Sequence, residues 1–460
     1  MTTTTDFSVR GRRVTVVGAA RSGVAAAYLL VRRGASVTLT DLRNDIPEAT
    51  ELRAAGVRLE LGAHDPETLL GSDLIVLSPG VPANQPGVVA ARAAGVDVIG
   101  ELELASRWVR GRIVAITGTK GKSTTTTLAG RMLQAGGHRV LVGGNIGHAL
   151  SAQVEASTDD TIHVVEASSF QLETIDTFRP WIAVLLNFSP DHLDRHETVD
   201  AYASAKSRIF INQAADDWAV LNADDAAVTQ MASAALSRRL VFSMSDSLAS
   251  GVLVRGNEIV RRTPAGDQPL VPLSSIQLIG QHLIADVLAA SAVASLAGVD
   301  SESMTRAVES FRGLEHALEP VAEFAGVLFV NDSKATNVEA ARRAIESFAS
   351  VVVIMGGRFK GGDLGELREP LISRDATVVA IGEARGLIRS AFGDAVQVHE
   401  ADDMNKAVRT AFASAAPGTA VVLAPACASF DMFRDYAERG RMFKQEVARL
   451  QEEWSGVREQ

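Results

Sequence analysis

Three successive α/β domains are what this sequence predicts, the first and third Rossmann-like and the middle one of P-loop type. Three observations carry that prediction. Short apolar runs alternate with helix-like segments; the alternation restarts near Arg112 and again near Gly313; and glycine-rich or small polar turns stand where strands give way to helices. At 460 residues the chain exceeds what one core supports, and about three domains is the expectation from length alone. The limits read from the sequence are 1–110, 111–313 and 314–460.

In the first domain residues 13–17 read as a strand, 24–32 as a helix, 36–40 as a second strand and 74–77 as a third. The turn from Gly18 to Gly23 is close to a dinucleotide fingerprint, but Ala20 stands where a second glycine would let the backbone approach a pyrophosphate. It is either a ligand loop or only tight strand-to-helix packing. Asp41 closes the second strand, a position suited to a ribose or uracil edge, and Ser78-Pro79-Gly80 adds a loop at the same sheet edge.

The second domain opens with the apolar run 113–116, then Gly118-Thr119-Lys120-Gly121-Lys122-Ser123-Thr124, then a helix over 125–135. This order predicts a phosphate cradle and hence ATP. Glycines let backbone N–H groups turn toward one anion, the helix N-terminus adds partial positive charge, Lys122 reaches terminal phosphates and Ser123 can ligate magnesium. A standard P-loop needs a glycine where this chain has Ile116, so the loop is of a different kind.

Strands at 161–165 and 182–186 follow, each ending in polar residues. Glu166 therefore stands at the same sheet edge as the cradle, where it can bind magnesium directly or through water, or be an ordinary exposed glutamate. His192, in the polar run 187–196, can ligate a metal, orient a carboxylate or be a satisfied surface histidine; its spacing from His196 is not that of a zinc hydrolase. Lys206 reads locally as a solvated helix lysine.

The third domain has strands at 327–330, 351–354, 377–380 and 420–423. After the first comes the run Asn331 to Asn337, with Thr336 or Asn337 placed to cap a helix over 338–348, a duty that does not require Lys334. The basic glycine loop 356–363 suits an anionic substrate group better than a core. Ser429 follows the last strand, and the neighbouring Cys427 reads as a small buried residue.

Composition narrows the function. With 47% hydrophobic and 22% charged residues the chain is globular, and its net charge of −10 argues against general nucleic-acid binding. A single cysteine fits a reducing compartment, the cytoplasm by default. No apolar run reaches the roughly 18 residues of a membrane span. The longest, 283–299, is broken by Asp286 and reads as a buried alanine-rich helix, and the threonine-rich start lacks a signal-peptide core.

Taken in order, GTKGKST (118–124), EASSFQLE (166–173), NFSPDHLDRH (187–196), YASAK (202–206), NDSKATN (331–337), GGRFKGGD (356–363) and PACASFD (425–431) resemble the motifs of the Mur ligase family across all three domains. The resemblance implies a UDP-binding domain, an ATPase domain and a mobile C-terminal domain. Together they would join D-glutamate to UDP-N-acetylmuramoyl-L-alanine through an acyl phosphate, in cytoplasmic peptidoglycan precursor synthesis. The Asp-Asn-Pro-Arg motif of the diaminopimelate branch is absent, and folylpolyglutamate relatives lack a comparable first domain.

By the same resemblance Gly118 to Thr124 hold ATP phosphates, and Glu166 and His192 hold Mg2+ with Ser123 close by. Lys206 is the lysine that the family carbamylates into an anionic metal ligand, which reverses the local reading. Ser22, Asp41, Arg43, Gly80 and Asn145 would meet the UDP substrate. Asp332, Lys334 and Thr336 would meet ATP or the reacting groups, and Lys360, Ser429 and Tyr436 the D-glutamate. Lys122, Glu166, His192, Lys206 and Lys334 are the implied catalytic set in a monomer with no nucleic-acid or membrane partner. The chain departs from the family pattern at Gly280-Gln281-His282-Leu283, at Asp286, and at His316-Ala317, where an arginine is usual. Leu283 and Ala317 supply neither an amide nor a guanidinium contact, so no ATP role is carried over to them.

Overall fold

The computed structural model describes residues 7–277 and 282–458, which form two compact units: residues 7–276 with 282–310, and residues 311–458 with Gln277. The first unit holds two sheets. One is fully parallel, built from β1 (Arg13–Val17), β2 (Ser36–Asp41), β3 (Arg58–Leu61), β4 (Leu74–Leu77) and β5 (Asp97–Gly100) in the order β3-β2-β1-β4-β5. Its strands are apolar on both faces because helices cover both: Val14, Val16 and Leu39 enter one core cluster, Val17, Ile75 and Leu77 another.

The second sheet comprises β6 (Arg112–Thr117), β7 (Arg139–Gly144), β8 (Thr161–Glu166), β9 (Ile182–Leu185), β10 (Trp218–Asn222), β11 (Arg238–Ser243), β12 (Gly251–Arg255), β13 (Glu258–Thr263) and β14 (Gly266–Pro272). Their order is β14-β13-β12-β11-β10-β9-β6-β8-β7, parallel except for the β12–β14 meander. β14 forms one edge and carries Pro269 and Pro272.

The second unit has one sheet of β15 (Glu319–Phe324), β16 (Val327–Asn331), β17 (Val351–Gly356), β18 (Thr377–Ile381), β19 (Gln397–Glu400) and β20 (Ala420–Leu423), ordered β15-β16-β20-β17-β18-β19. Only β15 runs antiparallel to its neighbour.

The strand orders explain where chemistry can collect. In each sheet three adjacent parallel strands send their following loops to one edge: β2-β1-β4 in the first, β8-β6-β9 in the second, β16-β20-β17 in the third. Open α/β sheets bind ligands at such carboxyl ends. The run 283–299 is indeed a buried helix, His282–Leu296, and it packs against helix Lys122–Ala135.

Several boundaries differ from expectation: most strands by a residue or two, the buried helix by ending at Leu296 rather than 299, and three further helix ends. The first-domain helix begins at Arg21 rather than 24, and the phosphate-loop helix at Lys122 rather than 125. In both cases the first turn is polar, and apolar periodicity cannot see it. The third-domain helix ends at Glu346 rather than 348, and Asn337, not Thr336, caps its start by accepting from the Ala340 N–H. Gly280 and Gln281 lie outside the described residues, as do the side chain of His282 and the start of the chain before Phe7.

Candidate active site

The loop after β6 is shaped by its glycines and by one neighbouring amide. Gly121 has φ 80°, and a Cβ there would come within 2.1 Å of Asp286 Oδ1, so only glycine fits. Asn187, at the end of β9, accepts from the N–H groups of Thr119 and Lys120 at 3.1 and 2.9 Å and donates to the Lys120 carbonyl at 3.1 Å. Thr119 Oγ1 donates to the Ser189 carbonyl and accepts from the Ser189 N–H, each at 3.1 Å. Thr124 lies half-buried in the first turn of the helix that follows.

Two lysines converge on this loop. Lys122 Nζ donates to the carbonyls of Gly118 and Thr119 at 2.9 and 2.8 Å, and Lys206 Nζ donates to Gly118 at 2.7 Å. Lys206 is 1% exposed, which overturns the local reading of a solvated lysine: its helix, Val199–Ser207, faces inward at that position. Burial, reinforced by the Lys122 cation, lowers its pKa to about 7, against the opposing pull of Asp191 and Glu166. At neutral pH much of it is therefore free amine. Lys120 Nζ lies 3.7 Å from Asp191 Oδ2.

Beside the loop, Glu166 is 2% exposed with both oxygens engaged: Ser123 Oγ donates to Oε2 and Asn145 Nδ2 to Oε1, each at 2.7 Å. Residues from three separate stretches of the chain thus meet at one carboxylate. His192 has other neighbours. It is half-exposed at φ 54°, its ring 5.1 Å from Phe170 and 6.2 Å from Tyr202, and its Nε2 4.0 Å from Asp191. Among the described residues no three His, Cys, Asp or Glu side chains stand together as a metal cluster.

Asp286 lies directly beneath the loop, 4% exposed, and burial pushes its carboxyl up to about 8. The neighbouring Thr125 hydroxyl, itself buried in the first turn of the helix, opposes that rise.

In the first sheet, Asp41 is fully used. Its oxygens accept from Arg43 Nε and Nη2 at 2.9 and 3.0 Å and from the Ala19 N–H at 2.6 Å. The Arg43 guanidinium holds this carboxyl well below the usual range, and the pair fixes the turn that carries half-buried Ser22. Ser78 Oγ donates to the Gly18 carbonyl at 2.8 Å, while Gly80 two residues later is exposed with open space around it. Arg21 Nη1 reaches the Gly147 carbonyl at 3.1 Å, tying this turn to the loop that bears Asn145.

The second unit gathers the remaining residues at its own sheet edge. Asp332 is buried and pushed up to about 7 by that burial, although Lys334 favours its charged form; the Leu318 N–H donates to it at 3.2 Å. Lys334 and Lys360 are exposed, and Lys360 Nζ approaches Thr336 Oγ1 at 3.5 Å. Ser429 is buried, and Tyr436 opens helix Tyr436–Arg458. Its carbonyl accepts from Ser333 Oγ at 2.7 Å. Ala317 is half-buried beside His316, whose buried Nε2 makes no hydrogen bond and lies 3.7 Å from Glu315 Oε1.

Asn187 and Tyr202 open two of the family-like motifs but carry no role in the sequence reading, and Arg439 lies outside every motif. Asn187 is the first polar residue after the apolar run of β9, a signal that could have found it. Tyr202 holds Lys206 Nζ 4.6 Å from its ring centre and stands between that lysine and the histidines.

Known proteins match nearly the whole chain. Residues 12–100 match the model of the Mur ligase MurD-like N-terminal domain, 116–294 that of the Mur ligase middle domain, and 318–427 that of the Mur ligase glutamate ligase domain. UDP-N-acetylmuramoylalanine–D-glutamate ligase of Acidobacterium capsulatum is 46% identical, covering 95% of this chain and 96% of its own. The enzyme of the same name from Koribacter versatilis is 45% identical, covering 97% and 99%. Among solved structures, UDP-N-acetylmuramate–alanine ligase MurC of Thermotoga maritima superposes with a TM-score of 0.59 at 19% identity, over 96% of this chain and 100% of that one. A pseudomurein peptide ligase type C of Methanothermus fervidus gives 0.58 at 16%, with the same coverage. At those identities the two structures speak for the fold alone.

Proposed function

The chain belongs to the Mur ligase family, and from that premise we propose that it joins D-glutamate to the alanyl carboxylate of UDP-N-acetylmuramoyl-L-alanine, with ATP converted to ADP and phosphate, in peptidoglycan precursor synthesis. What carries the reading is agreement along nearly the whole chain with relatives named for that reaction. We propose the domain limits 1–110, 111–313 and 314–460, a monomeric state and a cytoplasmic place of work. Among the described residues no helix is long and apolar enough to cross a membrane.

A carboxylate is a poor electrophile, so the chemistry runs in two steps. The γ-phosphoryl group passes from ATP to a carboxylate oxygen and ADP leaves; the amine then attacks the carbonyl carbon, loses a proton, and phosphate departs. For the first step charge must be neutralised where it develops. The backbone from Gly118 to Thr124 cradles phosphate, and Lys122 exchanges its two carbonyl contacts for phosphate oxygens. Asp332, Lys334 and Thr336 serve ATP or the reacting groups.

Ser123 and Glu166 offer oxygen donors within reach of one small hard cation, so the residues present fit Mg2+, which keeps several waters and needs few protein ligands. When bound it supplies charge neutralisation. His192 is the further ligand, with Lys206 in its carbamylated form. Free amine is the form of lysine that adds CO2, and the lowered pKa of Lys206 makes that form available near neutrality.

Ser22, Asp41, Arg43, Gly80 and Asn145 face the UDP substrate, Asp41 mainly by fixing the turn through Arg43 and Ala19. Lys360, Ser429 and Tyr436 receive D-glutamate. Pairing of exposed Lys360 with its side-chain carboxylate is worth about 1.5–3 kcal/mol.

The test is phosphate release by the purified chain with ATP, magnesium and UDP-N-acetylmuramoyl-L-alanine, comparing D-glutamate with L-glutamate and other amino acids. Release stimulated by D-glutamate alone is expected. Release no greater with D-glutamate than without it would overturn the reading.

A further inference from the structure

Arg439 is the largest fully buried side chain of the described residues, at 0% exposure, and all four of its hydrogen bonds go to uncharged oxygens. Its Nε donates to Ser333 Oγ at 2.9 Å and its Nη2 to the Ser333 carbonyl at 2.9 Å. Its Nη1 is shared between the carbonyls of Cys427, at 3.1 Å, and Gly356, at 3.4 Å. Ser333 lies in the loop after β16, Gly356 ends β17, and Cys427 lies in the loop after β20. These three strand ends carry Asp332, Lys334 and Thr336; Lys360; and Ser429. Ser333 Oγ passes the connection on to the Tyr436 carbonyl, so the helix that supplies the arginine is itself tied to the first loop.

Burying a guanidinium with no carboxylate in hydrogen-bond contact is costly, and the cost is met here by the geometry of these neutral acceptors, with the Asp431 charge acting from further off. A planar fork of five N–H donors can span three loops, whereas a lysine ammonium is a single point with three donors. Burial lowers the Arg439 pKa to about 10, which leaves it charged at neutral pH.

We propose that Arg439 is a positioning residue that pins the three loops of the C-terminal sheet edge into one amino-acid-binding surface. It touches no substrate. Its effect on D-glutamate rests on the function proposed above; its effect on the loops does not.

Two variants test it by two readouts. In R439K, amide hydrogen exchange of the full chain is expected to rise together in 332–337, 357–362 and 427–431, while β16, β17 and β20 keep their protection. KM for D-glutamate is expected to rise about tenfold or more, with KM for UDP-N-acetylmuramoyl-L-alanine changed by no more than about twofold. S333A, which removes one acceptor and leaves the buried arginine, is expected to move both readouts the same way by less, and it decides the matter if R439K does not fold. Unchanged loop exchange, or a uniform rise through the strands as from a merely structural loss, overturns the proposal. Because exchange is read without turnover, linked loosening of the loops in a protein with no D-glutamate activity would sink the proposed function and leave the positioning role standing.

Discussion

Beneath the phosphate loop the buried cation is Lys206; beneath the loop after β16 it is Arg439, and burial acts differently on the two. Both donate to backbone carbonyls of loops that follow an apolar strand and precede a helix. Lys206 is driven to a pKa of about 7, while Arg439 stays charged at about 10. A lysine brace can lose its proton and become a nucleophile at working pH. An arginine brace cannot, and its fork joins more partners. The first unit has thus placed a reactive group where the second has placed a permanent clamp.

That contrast can be strained most severely at Lys122, the other cation of the phosphate loop. K122A is expected to lower turnover by about 10² or more at saturating ATP, as loss of a preorganised electrostatic contact does; near-normal steady-state turnover would mean that Lys206 alone serves the loop. The second break is at the reactive brace itself. K206A should lose about 10-fold to 100-fold in turnover and recover part of it when a small carboxylic acid is added. K206R, which converts this brace to the permanent kind, should lose as much and recover nothing. Full activity in K206R would erase the distinction.

Smaller effects sharpen the comparison. N187A removes three hydrogen bonds from the phosphate loop and should raise KM for ATP by about tenfold, leaving hydrogen exchange in the second unit unchanged. Altered exchange there would show that the loop clusters are not independently held. The smallest effect concerns Asp286. Burial raises its carboxyl to about 8, so the folded chain keeps a proton that the unfolded chain releases from about pH 4 upward. Its contribution to stability is complete below about pH 4 and lost as pH rises through 8. D286N removes that dependence, so urea unfolding should find the variant gaining on the wild type between pH 4 and 8, by at least about 1 kcal/mol. A gap that stays constant with pH would mean the carboxyl is not held protonated.

Much of this was legible in the sequence where an apolar run is bounded by glycine or polar residues. The strands at 13–17, 74–77 and 420–423 have the bounds expected of them. The phosphate loop declared itself because Lys122 and Ser123 stand at a strand-to-helix junction where packing needs neither. Strands β3, β13 and β14 did not, since their exposed faces are mixed and their runs short. Lys206 misled the local reading because its partner, the Gly118 carbonyl, lies 88 positions away and only the sheet order brings them together. Arg439 was hidden for a related reason: it sits in a helix rich in charged residues, where one more arginine reads as part of a solvated face.

The far edge of the second sheet has a consequence for how the chain behaves in a crowd of its own copies. A free edge strand presents unpaired N–H and C=O groups on which another chain can assemble. β14 interrupts that row with Pro269 and Pro272, which have no N–H to offer, so a passing strand finds a broken ladder. The nine-stranded sheet therefore stops growing where its own chain does.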